Sequence, residues 1–238
     1  MKIEKRDSPI EIKVSPYGAG WSDISWFVPK EMSEPLSLTA SYTGRNMSDF
    51  ARALYHLSPN QFETDIADDL MDSVSYKYDA ETNRVGEICS TDEAGLRGTY
   101  IELPVKAVFH WDEEPGGSDW TLSREPPAKI NGDIDFSVHV QIVLKRYRDT
   151  PMVRQYDFDF MYSDLCYAVG KALTEVMKKQ GLYGYFYSTS DKIDIIHLIY
   201  IKAVALGCSD VLDLIYQDQR GGEISDFQKE MEILMFDM

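Results

Sequence analysis

Residues 134–144 read IDFSVHVQIVL, and every second side chain is apolar: Ile134, Phe136, Val138, Val140, Ile142 and Leu144. The positions between them as far as Gln141, namely Asp135, Ser137 and His139, are polar. Successive side chains of a strand point to opposite faces, so a period of two marks one face in a core and the other in water. That is the pattern of an antiparallel sheet with one wetted side. Upstream, Val105, Ala107, Phe109 and Trp111 repeat the pattern with Lys106 and His110 between them. Trp120 to Arg124 supplies a strand between the two. The middle of the chain therefore predicts an antiparallel meander.

The first two of these strands must be joined by the DEEPGGSD that lies inside FHWDEEPGGSDWTLSRE, residues 109–125. Pro115-Gly116-Gly117 is strong turn chemistry, which places Asp112, Glu113 and Glu114 at an exposed tip where water screens like charges. The competing reading is a cation or acid/base site built from His110, Asp112 and Glu114, with His139 on the same type of face. Nothing in the spacing orders these groups as ligands, so the solvated turn is preferred.

Further out, short strands are expected at Glu11–Val14, Asp23–Val28 and Leu36–Tyr42. In NMSDFARALYHL, Met47, Phe50, Ala51, Leu54 and Leu57 recur at helical spacing. A second helix begins at Ser58-Pro59 with Gln61 completing a capping box. Tyr76–Gly98 is polar and glycine-punctuated, room for a strand or two. After Pro151 the pattern is read as helical. Leu165, Val169, Ala172, Leu173 and Val176 trace one face and Gly181-Leu182 ends it as a Schellman stop. Ile193–Ala205 ends at Gly207, a short helix begins at Ser209, and a last one from Ser225 carries Phe227, Met231, Leu234 and Met235. The expected architecture is one α+β domain over 1–238, an antiparallel sheet with helices packed on one face. Residues 1–150 are mainly strands with two inserted helices, and 151–238 mainly helices.

Composition narrows the function classes. With 238 residues, 44% of them hydrophobic, the chain can bury a sizeable core. Forty acidic residues against 24 basic ones give a formal charge of −16, which repels phosphate backbones and anionic lipid surfaces. Neither nucleic acid nor membrane is expected as a partner; a protein with a basic surface is. The opening MKIEKRDSPIEIKV has no apolar run behind its basic residues, so neither secretory signal nor membrane anchor is expected. Cys89, Cys166 and Cys208 are far apart, without a C-x-x-C pair, and read as reduced thiols of a cytoplasmic protein. No phosphate-binding glycine loop, Gly-x-Ser-x-Gly elbow or Cys–His pairing appears, so no cofactor is expected and binding ranks above catalysis.

Three surfaces remain as candidates for contact. Asp65, Asp68, Asp69 and Asp72 fall at i, i+3, i+4 and i+7, an acidic helical stripe that is either a solvated face or a landing site for a cationic partner. The match of Asp68-Asp69-Leu70-Met71-Asp72 to a magnesium-binding Asp-Asp-x-x-Asp pattern lacks the all-helical bundle such chemistry uses. In GLYGYFYSTS, Tyr183, Tyr185 and Tyr187 alternate between two helices, either packing into the core or forming a binding edge. LKRYRD, residues 144–149, is a basic cluster at a strand end, read as solvated rather than as an anion site.

Ser41-Tyr42 with Asp49, Arg52, Ala53 and Leu54, together with Trp111-Asp112-x-Glu114-Pro115-Gly116 and Trp120-x-Leu122, resembles a pattern in small uncharacterised bacterial proteins. The resemblance spans roughly a third of the chain. It implies a bacterial α+β fold and transfers no functional residue. The expectation is an acidic cytoplasmic protein-binding module, in its most concrete form an immunity-type inhibitor of a basic toxin. The alternative is a metal-dependent or acid/base enzyme at the His110/Asp112/Glu114 hairpin.

Overall fold

The computed structural model describes residues 7–18, 21–41, 46–57, 75–79, 84–88, 101–102, 106–113, 116–124, 136–146, 152–189, 192–208, 216–217 and 223–238. The chain opens with β1 (Glu11–Gly18), β2 (Trp21–Phe27) and β3 (Leu36–Ala40), an antiparallel sheet in that order. α1 (Asn46–Leu57) follows. Next come β4 (Ser75–Asp79), β5 (Arg84–Ile88) and β6 (Ile101–Glu102), a second antiparallel set. The predicted meander is present and has four strands: β7 (Lys106–Asp112), β8 (Gly116–Arg124), β9 (Ser137–Arg146) and β10 (Met152–Met161). Their spatial order is β10-β9-β8-β7, each pair antiparallel.

Then come α2 (Tyr162–Thr189), α3 (Ile195–Ala205), the short pair β11 (Tyr216–Gln217) and β12 (Glu223–Ile224), and α4 (Phe227–Met235). The fold is α+β, as the alternating and helical patterns predict.

The core forms where the meander's inner face meets β2 and α1. Trp26 of β2 lies edge-on to Trp120 of β8, with ring centroids 5.3 Å apart, and stacks on Phe50 of α1 at 5.9 Å. Phe50 also meets Trp111 and Trp120. Trp26, Phe50, Trp111, Trp120, Val138, Val140 and Ile142 are all fully buried. The inner face is thus covered jointly by a helix and by the first sheet. α2 lies against β1, and α3 and α1 against α2.

One expectation fails here. The chain after Pro151 begins with a ten-residue strand, not a helix. Its signal is the alternation of Tyr156, Phe158 and Phe160 with Asp157 and Asp159, the same period of two that marks β9. Phe158 and Phe160 reach the Trp26 ring at 6.2 and 5.9 Å, so burial of two aromatic rings holds the strand in place. Helix begins only at Tyr162, whose hydroxyl donates to Leu54 O at 2.6 Å and whose ring stacks on Phe136. Complete burial pushes that phenol well above its ordinary pKa.

The stop predicted at Gly181 is a break between two helical segments of α2. Gly181 adopts φ 71°, ψ 166°, a conformation open to glycine alone, and the backbone resumes as helix to Thr189. α3 is capped by Asp194, which accepts from the Ile196 and His197 amides, and stops at Gly207 with φ 64°. α4 is fastened by Lys202 of α3. Its buried Nζ donates to Leu234 O and Phe236 O at 2.7 and 2.8 Å. Desolvation, helped by Lys178 and opposed by Asp237, brings that ammonium down to about 8. Cys166 and Cys208 are buried and form no disulfide, while Cys89 lies outside the described residues, as do the predicted helices at 58–72 and from Ser209.

Candidate functional site

The wetted face of the meander gathers most of the described groups that carry chemistry. The β7–β8 register sets His110 opposite Asp119 and Asp112 opposite Gly117. The β8–β9 register sets Gly117 opposite Lys145 and Ser123 opposite His139. On the far side, Asp159 faces His139 and Asp157 faces Gln141. Polar side chains on this face therefore extend across all four strands.

Its first knot is His110. The Nδ1 atom is 2.5 Å from Asp119 Oδ1 and Nε2 is 3.2 Å from Asp112 Oδ1. A neutral imidazole has one N–H and can donate to one of these; an imidazolium donates to both. Lys145 Nζ donates to the other Asp119 oxygen at 2.5 Å. Partial burial of Asp119 works to raise its pKa, but the hydrogen bonds from Lys145 and His110 outweigh it and the net shift is downward. Gly117 makes the arrangement possible. A Cβ there would stand 2.6 Å from His110 Cε1 and 2.7 Å from Trp111 O, so the imidazole crosses the neighbouring strand only because no side chain is present.

The second knot is His139, with Nδ1 2.9 Å from Asp159 Oδ1 and Nε2 3.4 Å from Asp157 Oδ1. Asp157 accepts from Gln141 Nε2 at 3.0 Å and Gln155 Nε2 at 2.9 Å, and these bonds lower its pKa. His110 and His139 lie two strands and two registered rows apart, roughly 17 Å by strand geometry. They form two separate carboxylate–imidazole–carboxylate sets.

The predicted turn needs correction. Gly116, Gly117, Ser118 and Asp119 are not loop: they begin β8. Glycine at 116 reflects close backbone approach, since a Cβ would collide with Lys145 O, and not a turn conformation. Asp112 ends β7, and Glu113 is not a freely solvated tip residue. Its side chain is 19% exposed and pairs with Arg146 at 3.4 Å, while its amide donates to Gly116 O. Glu114 lies outside the described residues. The basic cluster at 144–149 is likewise no free strand end in its described part, because Lys145 holds Asp119 and Arg146 Nη2 donates to Ser37 O at 3.1 Å.

Of the other predicted surfaces, Asp65, Asp68, Asp69 and Asp72 lie outside the described residues. Tyr183, Tyr185 and Tyr187 sit on helical backbone and not on an extended connection. Tyr183 is 79% exposed, and Leu182, Phe186, Ile195 and Ile196 are exposed apolar neighbours in the chain. The side chains of Tyr185 and Tyr187 are outside the described set.

Sequence reasoning missed Asp157 and Asp159 because the strand carrying them went unread. It also missed Asp119, which turn chemistry assigned to a loop.

As chemistry, a histidine between two carboxylates is a proton-accepting arrangement. Catalysis also needs a concavity that excludes water around a reacting group. Here His110 and His139 are 46% and 43% exposed on an open sheet face. Among the described residues no group of three His, Cys, Asp or Glu side chains is arranged to hold a metal ion. Nor is any helix among them long and apolar enough to cross a membrane. The chain matches no family model, no curated protein and no solved structure.

Proposed function

We propose that the chain is an acidic protein-binding module whose partner presents a basic surface, acting in the bacterial cytoplasm. Its most concrete form is an immunity-type inhibitor of a basic toxin such as a nuclease. The observation that carries the reading is the wetted face of the meander, where Asp112, Asp119, Asp157 and Asp159 stand in a registered array on rigid strands. Exposed Val108, Val153 and Met161 are interspersed with them. Carboxylates fixed in place by neighbouring His, Gln and Lys lose little side-chain freedom on binding, and apolar side chains among them supply area to bury. Overall charge adds steering towards a cationic surface. The acidic stripe Asp65/Asp68/Asp69/Asp72 and the stretch holding Tyr183, Tyr185 and Tyr187 are further contact surfaces under the same proposal.

An enzyme at His110, Asp112 and Glu114 is the weaker reading, because the imidazole faces open solvent and its nearest groups are already committed to one another. The test is association kinetics with a panel of basic toxin domains at several salt concentrations. Saturable binding whose on-rate falls steeply with salt, and falls again in Asp112→Asn/Asp157→Asn/Asp159→Asn, supports the module. If no basic domain forms a saturable complex, the reading is lost.

A further inference from the structure

We infer that the outer edge of β10, which no other described strand pairs, is a docking strand: it receives an extended segment of the partner, alternating basic and apolar residues, as a fifth strand of the meander. This rests on the protein-binding reading and names the place and form of contact.

Tyr162 N donates to Phe136 O at 2.8 Å, and this pair continues the β9–β10 register in which Met161 faces Ser137 and Phe160 faces Val138. Opposed residues of an antiparallel pair alternate between bonded and non-bonded. Phe160, Phe158, Tyr156 and Arg154 are therefore the bonded positions. The N–H and C=O groups of Val153, Gln155, Asp157, Asp159 and Met161 point away from β9. Among the described residues no other strand or backbone group pairs with them. The opposite edge of the sheet is different, since Asp112 O at the end of β7 accepts from Ser41 N. An open row of backbone donors and acceptors ten residues long is a template for strand addition.

The chemistry on either side of that row specifies the guest. Side chains of an added strand that lean to the wetted face would meet Asp157 and Asp159, 42% and 74% exposed, with Val153 and Met161 beyond them. Basic residues fit there. Those on the other face would enter a cleft of about 540 Å³ between β10 and the β2–β3 connection, where Met152, Tyr156 and Phe158 stand beside Glu34, Arg146 and Arg154. Apolar side chains fit against the first three, under a charged rim. A second copy of this chain fits poorly, because two-fold pairing about the strand centre gathers both copies' Asp157 and Asp159 on one face, and each copy carries −16.

The probe is a synthetic peptide of about ten residues alternating lysine and valine, matched to the length of β10, with a glutamate–valine counterpart. Backbone amide exchange of the full chain is followed by NMR at low salt. The lysine peptide is expected to bind saturably and to slow exchange about tenfold or more at Val153, Gln155, Asp157, Asp159 and Met161. The even-numbered amides, already bonded to β9, should be unchanged, and the glutamate peptide inert. Gln155→Pro removes an outward N–H and no bond to β9, so it should weaken lysine-peptide binding about tenfold. In case that variant does not fold, Asp157→Lys/Asp159→Lys should reverse the preference between the two peptides. Saturable lysine-peptide binding that leaves the odd-numbered amides unprotected overturns the docking strand while the binding module stands. Absence of any lysine-peptide binding overturns the docking strand; the binding module falls only if the basic domains also fail to bind. Odd-numbered protection in the free chain that vanishes on dilution, with a dimer mass in sedimentation, assigns the edge to a second copy and also overturns the proposal.

Discussion

The two faces of the four-stranded meander share one backbone and are held by different forces. On the inner face, Trp111, Trp120, Leu122, Val138, Val140 and Ile142 are fully excluded from water, and each large apolar side chain there contributes about 1.5–3 kcal/mol by burial. On the outer face His110, Asp119, His139 and Asp157 keep between 37% and 46% of their side-chain surface in solvent. Hydrogen bonds and ion pairs at that exposure contribute about 0–1 kcal/mol each. Stability is thus concentrated on one side and recognition chemistry on the other. Outer-face side chains can be exchanged with little loss of fold, which is the condition a binding surface needs.

The largest effect should come from carrying the outer chemistry to the inner face. Val138 and His139 are neighbours in the chain on opposite sides of β9, Val138 fully buried. Val138→Asp places a carboxylate on the buried face between Phe160 of β10 and Arg124 of β8, and one buried guanidinium offsets only part of a desolvation penalty of several kcal/mol. The variant should give no soluble folded protein by expression and circular dichroism. A soluble, cooperatively melting Val138→Asp would break the contrast between the faces.

Gly117→Ala comes next. The new Cβ meets the His110 ring, which can swing away, and Trp111 O, which belongs to the ladder and cannot. Overpacking of this kind costs about 1–3 kcal/mol. Urea denaturation of Gly117→Ala, His110→Ala and the double variant separates the two obstacles. Partial recovery in the double variant is expected. Complete recovery would assign the whole clash to the imidazole and show the outer face to be more rigidly tied to the fold than its exposure implies.

The same contrast explains what the sequence revealed. β7 and β9, and with them the meander and the face on which His139 lies, are legible because alternation of apolar and polar residues is a direct record of one-sided burial. α1 and the first part of α2 are legible for the parallel reason at helical period. β10 carries the same record in Tyr156, Phe158 and Phe160, but it is short of apolar residues in its first half, where Arg154 and Gln155 follow Val153. Proline before it and a strongly helical segment after it invite a helical reading. The start of β8 was illegible for a different reason. Gly116 and Gly117 are the residues of a turn, and only knowledge of what crosses them, a carbonyl and an imidazole, shows that they serve close approach within a sheet. Of the site itself, His110, Asp112 and His139 could be named from their places on or beside the wetted strand face. Asp119, Asp157 and Asp159 could not, because each depends on a partner strand whose register is a tertiary fact.

Asp119→Asn probes the outer lattice alone. Asp119 is ionised more readily in the folded chain than its ordinary value of 3.8 allows. Its charge therefore contributes stability at all pH above that value, and the contribution is lost as pH falls through the lower folded pKa. With 37% of the side chain in solvent, screening limits the effect to about 1 kcal/mol or less. Thermal melts of the parent and Asp119→Asn should differ by a small amount near pH 5, about where the unfolded carboxylate is fully charged, and converge on acidification below the ordinary value. Divergence at low pH would mean that Lys145 and His110 are not what lowers the Asp119 pKa.

His139→Ala should have the smallest effect on the fold and for that reason is the sharpest measure of the contrast. Its ring lies between Asp157 and Asp159, yet Asp157 keeps two other donors, Gln141 and Gln155, when the imidazole is removed. Asp159, at 74% exposed, returns to water at little cost. No cavity forms, because 43% of the histidine side chain already faces solvent. Stability should change by less than about 1 kcal/mol in chemical denaturation. The variant loses the imidazole's hydrogen bonding to the two carboxylates, to one when the ring is neutral and to both when it is charged, so a slight loss is expected at low salt and almost none at high salt. The same substitution leaves Asp157 and Asp159 without the one group between them that can carry positive charge. A cationic partner should then bind the outer face at least as tightly as before. An unfolded His139→Ala, or one whose loss equals that of Val138→Asp, would place a covering layer over both faces of the meander and remove the open surface on which recognition depends.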